Sequence, residues 1–136
     1  MIVLDCDAAV NIALETTQGN ALGALMVEGE KAVAPSLLHA ELTHAFKKYV
    51  QAGVLSAQEA VLRMRKAQLL VDEYCDDAAN CAEVIAESIR LNHSTYDVFY
   101  FVLARREAAT LFTLDRKLQK LCLDNGVNCV LADTEF

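Results

Sequence analysis

The chain begins "MIVLDCDAAVNIAL" (residues 1–14), and the fold turns on how this stretch is read. Ile2 to Leu4 is a short apolar run suited to a buried strand, and a helical pattern follows from about Asp7 to Glu15. Asp5 and Asp7 stand at the corner between them, on either side of Cys6. Such a corner admits three readings: helix capping, a phosphoryl-transfer nucleophile pair, or the first ligands of a metal site.

Outward from this corner, short apolar runs keep alternating with helical ones. A second helix is predicted over Gln18–Glu28 and a strand over Lys31–Ala34. Pro35-Ser36 opens a long helix, "SLLHAELTHAFKKYVQAG", stopped at Gly53. "SAQE" (Ser56 to Glu59) is a capping box for the amphipathic "AVLRMRKAQLLV". A strand at Val71–Cys75 precedes two helices, "DAANCAEVIAESIRL" and "STYDVFYFVLARREA", the latter starting at Ser94 or Thr95. The strand "TLFTL", the helix "DRKLQKLCLDNG" ending at Gly126, and a last strand "VNCVLA" complete the chain. This alternation predicts an α/β domain with a mainly parallel sheet. With no repeat, linker or low-complexity segment, residues 1–136 read as one domain.

Bulk properties narrow the function classes. A chain that is 54% hydrophobic and 23% charged is expected to pack a core. Its net charge of −7 argues against a broad basic face for coating nucleic acid. The same charge suits an acidic cleft that holds a few phosphates through metal ions, or docking of a basic partner segment. The longest apolar run, Val98 to Ala104, is far too short for a bilayer, and no export signal opens the chain, so a cytoplasmic protein without a membrane partner is expected. The five cysteines, odd in number and without C-x-x-C spacing, read as reduced and mostly buried thiols rather than a zinc site.

In parallel sheets functional groups gather where strands end and helices begin, which singles out Asp5, Asp7 and Asp115. Each could simply cap a helix. Asp97 could be the acidic member of a box with Ser94, and Glu41 an ordinary solvated residue. The surroundings favour more. Asp97 opens "DVFYFVLA", apolar all round, with no basic residue one turn away and Arg105 two turns on. A carboxylate buried there needs a strong partner, and a metal ion would serve. Glu41 edges the stripe of Leu38, Leu42, Ala45 and Phe46, beside Leu37 and His44, a position suited to a cleft.

In order and setting, "IVLDCDA", "APSLLHAELTHAF", "STYDVFYFVLA" and "TLFTLDRKL" resemble the PIN-domain family, and in size and layout its VapC-type toxin members. The likeness spans the whole chain, with "YD-x-x-Y-x-x-LA" and the later "T-x-D" its most specific part. It implies a PIN-like three-layer α/β/α domain and a ribonuclease hydrolysing RNA phosphodiesters. It further implies that Asp5, Glu41, Asp97 and Asp115 bind Mg²⁺ or Mn²⁺, with Thr113 orienting a ligand or bound water. A cognate antitoxin and a homodimer follow from the same resemblance. Asp7 departs from the family pattern, where a small hydroxylated or amidic residue is common, and its role stays open between extra ligand, cap and passenger.

No histidine base is required, and the three histidines are expected away from the acidic corners. The basic pairs Lys47-Lys48, Arg105-Arg106 and Arg116-Lys117 are either phosphate contacts or solvated residues. With few aromatic or basic residues in evident loops, RNA selectivity is expected to come from substrate shape and a handful of contacts. Two alternatives stand beside this reading. One is a non-catalytic PIN-fold interaction module. The other is a haloacid-dehalogenase-type phosphatase, suggested by the opening D-x-D, although Ala9 stands where Thr or Val is expected and "TLFTLDRKL" offers a single acid.

Overall fold

The computed structural model describes residues 1–130. Four strands, β1 (Ile2–Leu4), β2 (Ala32–Pro35), β3 (Glu73–Cys75) and β4 (Thr110–Phe112), form a sheet of order β3-β2-β1-β4. Every pairing is parallel: Ile2 faces Ala32 on one side and Thr110 on the other, and Val33 faces Glu73. Seven helices connect and flank them: α1 (Cys6–Ala13), α2 (Thr17–Ala24), α3 (Leu38–Gln51), α4 (Ala57–Leu69), α5 (Cys81–Leu91), α6 (Thr95–Arg106) and α7 (Arg116–Asp124). The expected PIN-like α/β fold with a parallel sheet is what the chain adopts.

The strand order explains the layering. The chain steps outward from β1 to β2 to β3, then crosses back to β4 on the far side of β1. Right-handed crossovers therefore place α1–α4 on one face of the sheet and α5–α7 on the other. Packing agrees: α1 touches α2, α3 and α4, while α6 lies against β1, β2, β4, α5 and α7. β1 is apolar throughout and wholly buried because both its faces and both its edges are covered. The reversal between β1 and β4 is the place where an open α/β sheet forms its crevice.

Several boundaries differ from the sequence expectation. α2 stops at Ala24, not Glu28, and Gly29 takes a positive φ in the turn beyond it. Pro35 ends β2, so α3 starts only at Leu38. β3 starts two residues later than expected, and the helix after it begins as a 3₁₀ turn over Asp77–Asn80. β4 ends at Phe112 because Thr113 is engaged elsewhere: its carbonyl accepts from the buried Gln119 side chain at 2.9 Å. The last strand is represented by a single parallel bridge, Leu111 to Cys129, and its predicted end, Leu131 and Ala132, lies outside the described residues. The Ser56–Glu59 capping box forms as read, and Gly53 takes its positive φ just past α3.

The five thiols are unpaired, but the expectation that most are buried does not hold: Cys122 is buried, Cys81 exposed, and the other three partly covered. Among the described residues no helix is long and apolar enough to cross a membrane.

Candidate metal centre

Asp5 leaves β1 and becomes the N-cap of α1, its Oδ1 accepting the Ala8 amide at 2.9 Å. Asp115 does the same for α7, accepting from Lys117 at 2.9 Å and from Leu118 at 3.4 Å. The capping reading of both corners is thus correct, and it does not exclude the other one. A carboxylate that caps with one oxygen keeps its second oxygen and further lone pairs free.

Both residues line one cavity of about 880 Å³ at this end of the sheet. Asp7, Glu41 and Asp97 line it too, so the five carboxylates singled out in the sequence meet around a single space. They arrive from α1, α3, α6 and the start of α7. Thr113 is not in the wall. It lies fully buried behind it, where its hydroxyl oxygen accepts the Asp115 amide at 3.0 Å and its side chain bears on Asp5.

The electrostatics record the crowding. Burial pushes the Asp5 carboxyl up to about 8, against the downward pull of hydrogen bonds from Thr113 and the Ala8 amide, and neighbouring Asp7 and Asp97 add to the rise. Glu41 is also raised, chiefly by burial, while its bond from Tyr100 lowers it and Asp97 and Asp7 raise it. Asp7 is raised by burial, then by Asp115 and Asp97. Cys6 is pushed well up by burial and by Glu41, Asp7 and Asp5, so no thiolate nucleophile forms between the two aspartates.

Two side chains that hold these carboxylates in place are not evident from the sequence alone. Tyr100, one turn beyond Asp97, is 2% exposed and donates to Glu41 Oε1 at 2.6 Å. Its signal was the i, i+3 spacing in "YD-x-x-Y". His93, one turn before Asp97, places Nε2 2.9 Å from Asp97 Oδ2. This corrects two expectations: Asp97 does have a potentially basic neighbour, and the histidines do not avoid the acidic corners, for His44 lines the cavity as well. The search for a partner within the helix overlooked His93 because it precedes the first helical residue. The Ser94–Asp97 capping box is also absent, since the Ser94 side chain makes no capping bond.

The basic pairs divide. Arg105 and Arg106 are paired with Glu83 and Glu87 on α5, away from the cavity. Lys48 lines it, and Arg116 and Lys117 are exposed beside Asp115.

Whether the wall suits a cation is a question of donor chemistry. The donors are all carboxylate oxygens, which hard divalent cations take, and three of them are held above their usual pKa by burial and by one another. Among the described residues, none of the five carboxylates is salt-bridged to lysine or arginine. The donor set fits Mg²⁺ or Mn²⁺. As placed, no three His, Cys, Asp or Glu side chains of the described residues already form a ligand cage.

No family model matches the chain. No curated protein matches it in sequence either. Solved structures do match in fold. A crystal structure of PAE2754 from Pyrobaculum aerophilum superposes with a TM-score of 0.70 at 20% identity, covering 88% of this chain and 84% of that one. VapBC2 from Rickettsia felis, solved bound to a DNA fragment from its promoter, superposes with a TM-score of 0.64 at 19% identity, covering 96% of this chain and 98% of that one. Coverage that is nearly complete on both sides means that the likeness is to a whole chain rather than to a shared βα unit. With a four-strand parallel sheet of order β3-β2-β1-β4 and helices on both faces, this chain has a PIN-like α/β fold.

Proposed function

We propose that this chain is a Mg²⁺- or Mn²⁺-dependent endoribonuclease, the toxin of a toxin–antitoxin pair. The observation that carries the reading is the meeting of Asp5, Glu41, Asp97 and Asp115, from four separated segments, around one cavity. Those four would hold the cation, with Asp7 at the exposed lip as an additional oxygen donor. Bound there, the cation would supply an activated water and stabilise charge on the phosphate.

The chain's own part is positioning. Tyr100 fixes Glu41 and His93 fixes Asp97, while Thr113 links Asp5 to the Asp115 backbone. Partners that orient ligands in this way commonly change metal affinity or activity by about 10- to 100-fold when removed. The raised carboxyls of Asp5, Asp7 and Glu41 make cation binding a proton-releasing event.

The fold shared with VapBC2 supports an antitoxin as partner, and the acidic cavity suits a covering segment that brings a basic side chain. A homodimer in the cytoplasm completes the proposal.

The test is cleavage of a mixed pool of structured and unstructured RNAs with Mg²⁺, Mn²⁺ or EDTA, beside Asp97→Asn. Metal-dependent cuts that the variant does not make support the reading. If the protein neither cuts nor binds Mn²⁺, it is a PIN-fold interaction module instead. Hydrolysis of a small phosphate monoester with RNA left intact would favour the phosphatase.

A further inference from the structure

The cavity is not lined by carboxylates alone. Tyr96 lies in the first turn of α6, immediately before Asp97, and is 63% exposed although much of the same helix is core. Val54, just past α3, is 62% exposed, and half-buried Tyr49 stands near it with Lys48 alongside. All four line the same cavity as the acids. Among the described residues the Tyr96 hydroxyl makes no hydrogen bond within the protein, and the ring is largely exposed. The lining is therefore anionic in part and aromatic and apolar in part, a combination that suits a nucleotide with its phosphate at one end and a flat base at the other.

We propose that Tyr96 is a base-stacking platform: a single-stranded RNA crossing the cavity lays the base next to the scissile phosphate on this ring. The inference rests on the nuclease reading above and assigns one base-contacting residue of that same site. Stacking is needed because phosphate contacts are scarce. A chain of net charge −7, with Lys48, Arg116 and Lys117 as the cations near the carboxylates, has little counterion release to draw on. Base–aromatic stacking is tolerant of sequence and supplies the missing affinity. A single strand is required because duplex RNA keeps its bases stacked on one another and out of reach. The adjacency of Tyr96 to Asp97 then sets the register, since a base on the ring delivers its own phosphate to the acids. Tyr96 and Tyr49 lie on helices α6 and α3 rather than in loops.

The experiment compares wild type with Tyr96→Ala, Tyr96→Phe and Tyr96→Leu. Cleavage of a single-stranded oligoribonucleotide is followed in Mg²⁺, and binding by fluorescence anisotropy with Ca²⁺ in its place. A matched RNA lacks the base next to the mapped cut. Tyr96→Ala is expected to weaken binding and raise KM by roughly 5- to 100-fold, with kcat changed much less. Tyr96→Phe should retain wild-type affinity, Tyr96→Leu should behave like Ala, and on the abasic RNA the differences should vanish. If wild type cuts but Tyr96→Ala binds as well, this inference alone is overturned and the ring becomes a contact for a protein partner. If Leu equals Tyr, simple burial replaces stacking and the inference also fails. If wild type neither binds nor cuts any RNA, the nuclease reading falls and this one with it.

Discussion

The Tyr100 hydroxyl donates a 2.6 Å hydrogen bond to Oε1 of Glu41, joining the buried heart of α6 to the carboxylate that α3 presents to the cavity. The bond crosses between helices on opposite faces of the sheet, so it fixes the width of the cavity as well as one side chain. It also lowers the Glu41 pKa, against the rise that burial imposes. Tyr100→Phe should keep the packing and lose this bond. We expect a loss of about 1 kcal/mol in urea unfolding and weaker Mn²⁺ binding by calorimetry, with the fold unchanged by circular dichroism.

Asp5 sets the pH response of the metal-free protein. Its folded pKa of about 8 lies above the ordinary aspartate value of 3.8, so between the two the folded state holds a proton that the unfolded chain has released. The contribution to stability is complete below about pH 4 and is lost as pH rises through about 8. Asp7 and Glu41 shift in the same direction. Glu15, Glu83 and Glu87 shift the opposite way, but their effect falls in the acid range below the ordinary glutamate value. Unfolding in EDTA should therefore show lower stability at pH 8 than at pH 5.5, and Mn²⁺ should stabilise more at pH 8. Asp5→Asn should flatten this slope while keeping the α1 cap, because Asn caps as well as Asp; Asp5→Ala should lose the cap at a cost of about 1 kcal/mol.

His93 reaches Asp97 from outside α6, its Nε2 2.9 Å from Asp97 Oδ2. His93→Ala should reduce Mn²⁺ affinity by about 10- to 100-fold, and RNA cleavage with it, while circular dichroism and the melting curve stay near wild type. Unchanged Mn²⁺ affinity would make the contact incidental.

Gly19 and Gly23 of α2 provide a matched pair. A Cβ on Gly19 would sit 2.0 Å from the Asn11 carbonyl oxygen and 2.6 Å from the Ile12 nitrogen, both backbone atoms of α1 that cannot swing aside. On Gly23 the nearest atom is Ile12 Cγ2 at 3.8 Å, an ordinary contact. Gly19→Ala should force the helices apart and cost roughly 2–3 kcal/mol, disturbing α1 and the acids it carries. Gly23→Ala should be neutral or stabilise by up to about 1 kcal/mol through helix propensity. Thermal melts of the two variants decide.

The existence and order of the elements could be read because periodicity, caps and stop signals acted locally. Ser56 and Glu59 needed only each other, and Gly53 needed only its own φ. The acids were legible for a related reason: Asp5 and Asp115 sit at strand ends, where parallel sheets put their crevice. What escaped was set by distant residues. Tyr100 meets Glu41 across 59 positions, and β4 stops early because Gln119 takes the Thr113 carbonyl. His93 escaped for another reason: it precedes the first residue of α6, so the helix pattern does not include it.

The parallel sheet also fixes when the site can come into being. β1 is made first, yet Ile2 pairs with Thr110, more than a hundred residues later in the chain. Asp5 is made long before Thr113 and Asp115, which complete its surroundings and follow β4. Pairings so far apart close late and slowly. A nascent chain therefore carries an unfinished cavity until β4 and Asp115 have been made, and the acids face one another only after that.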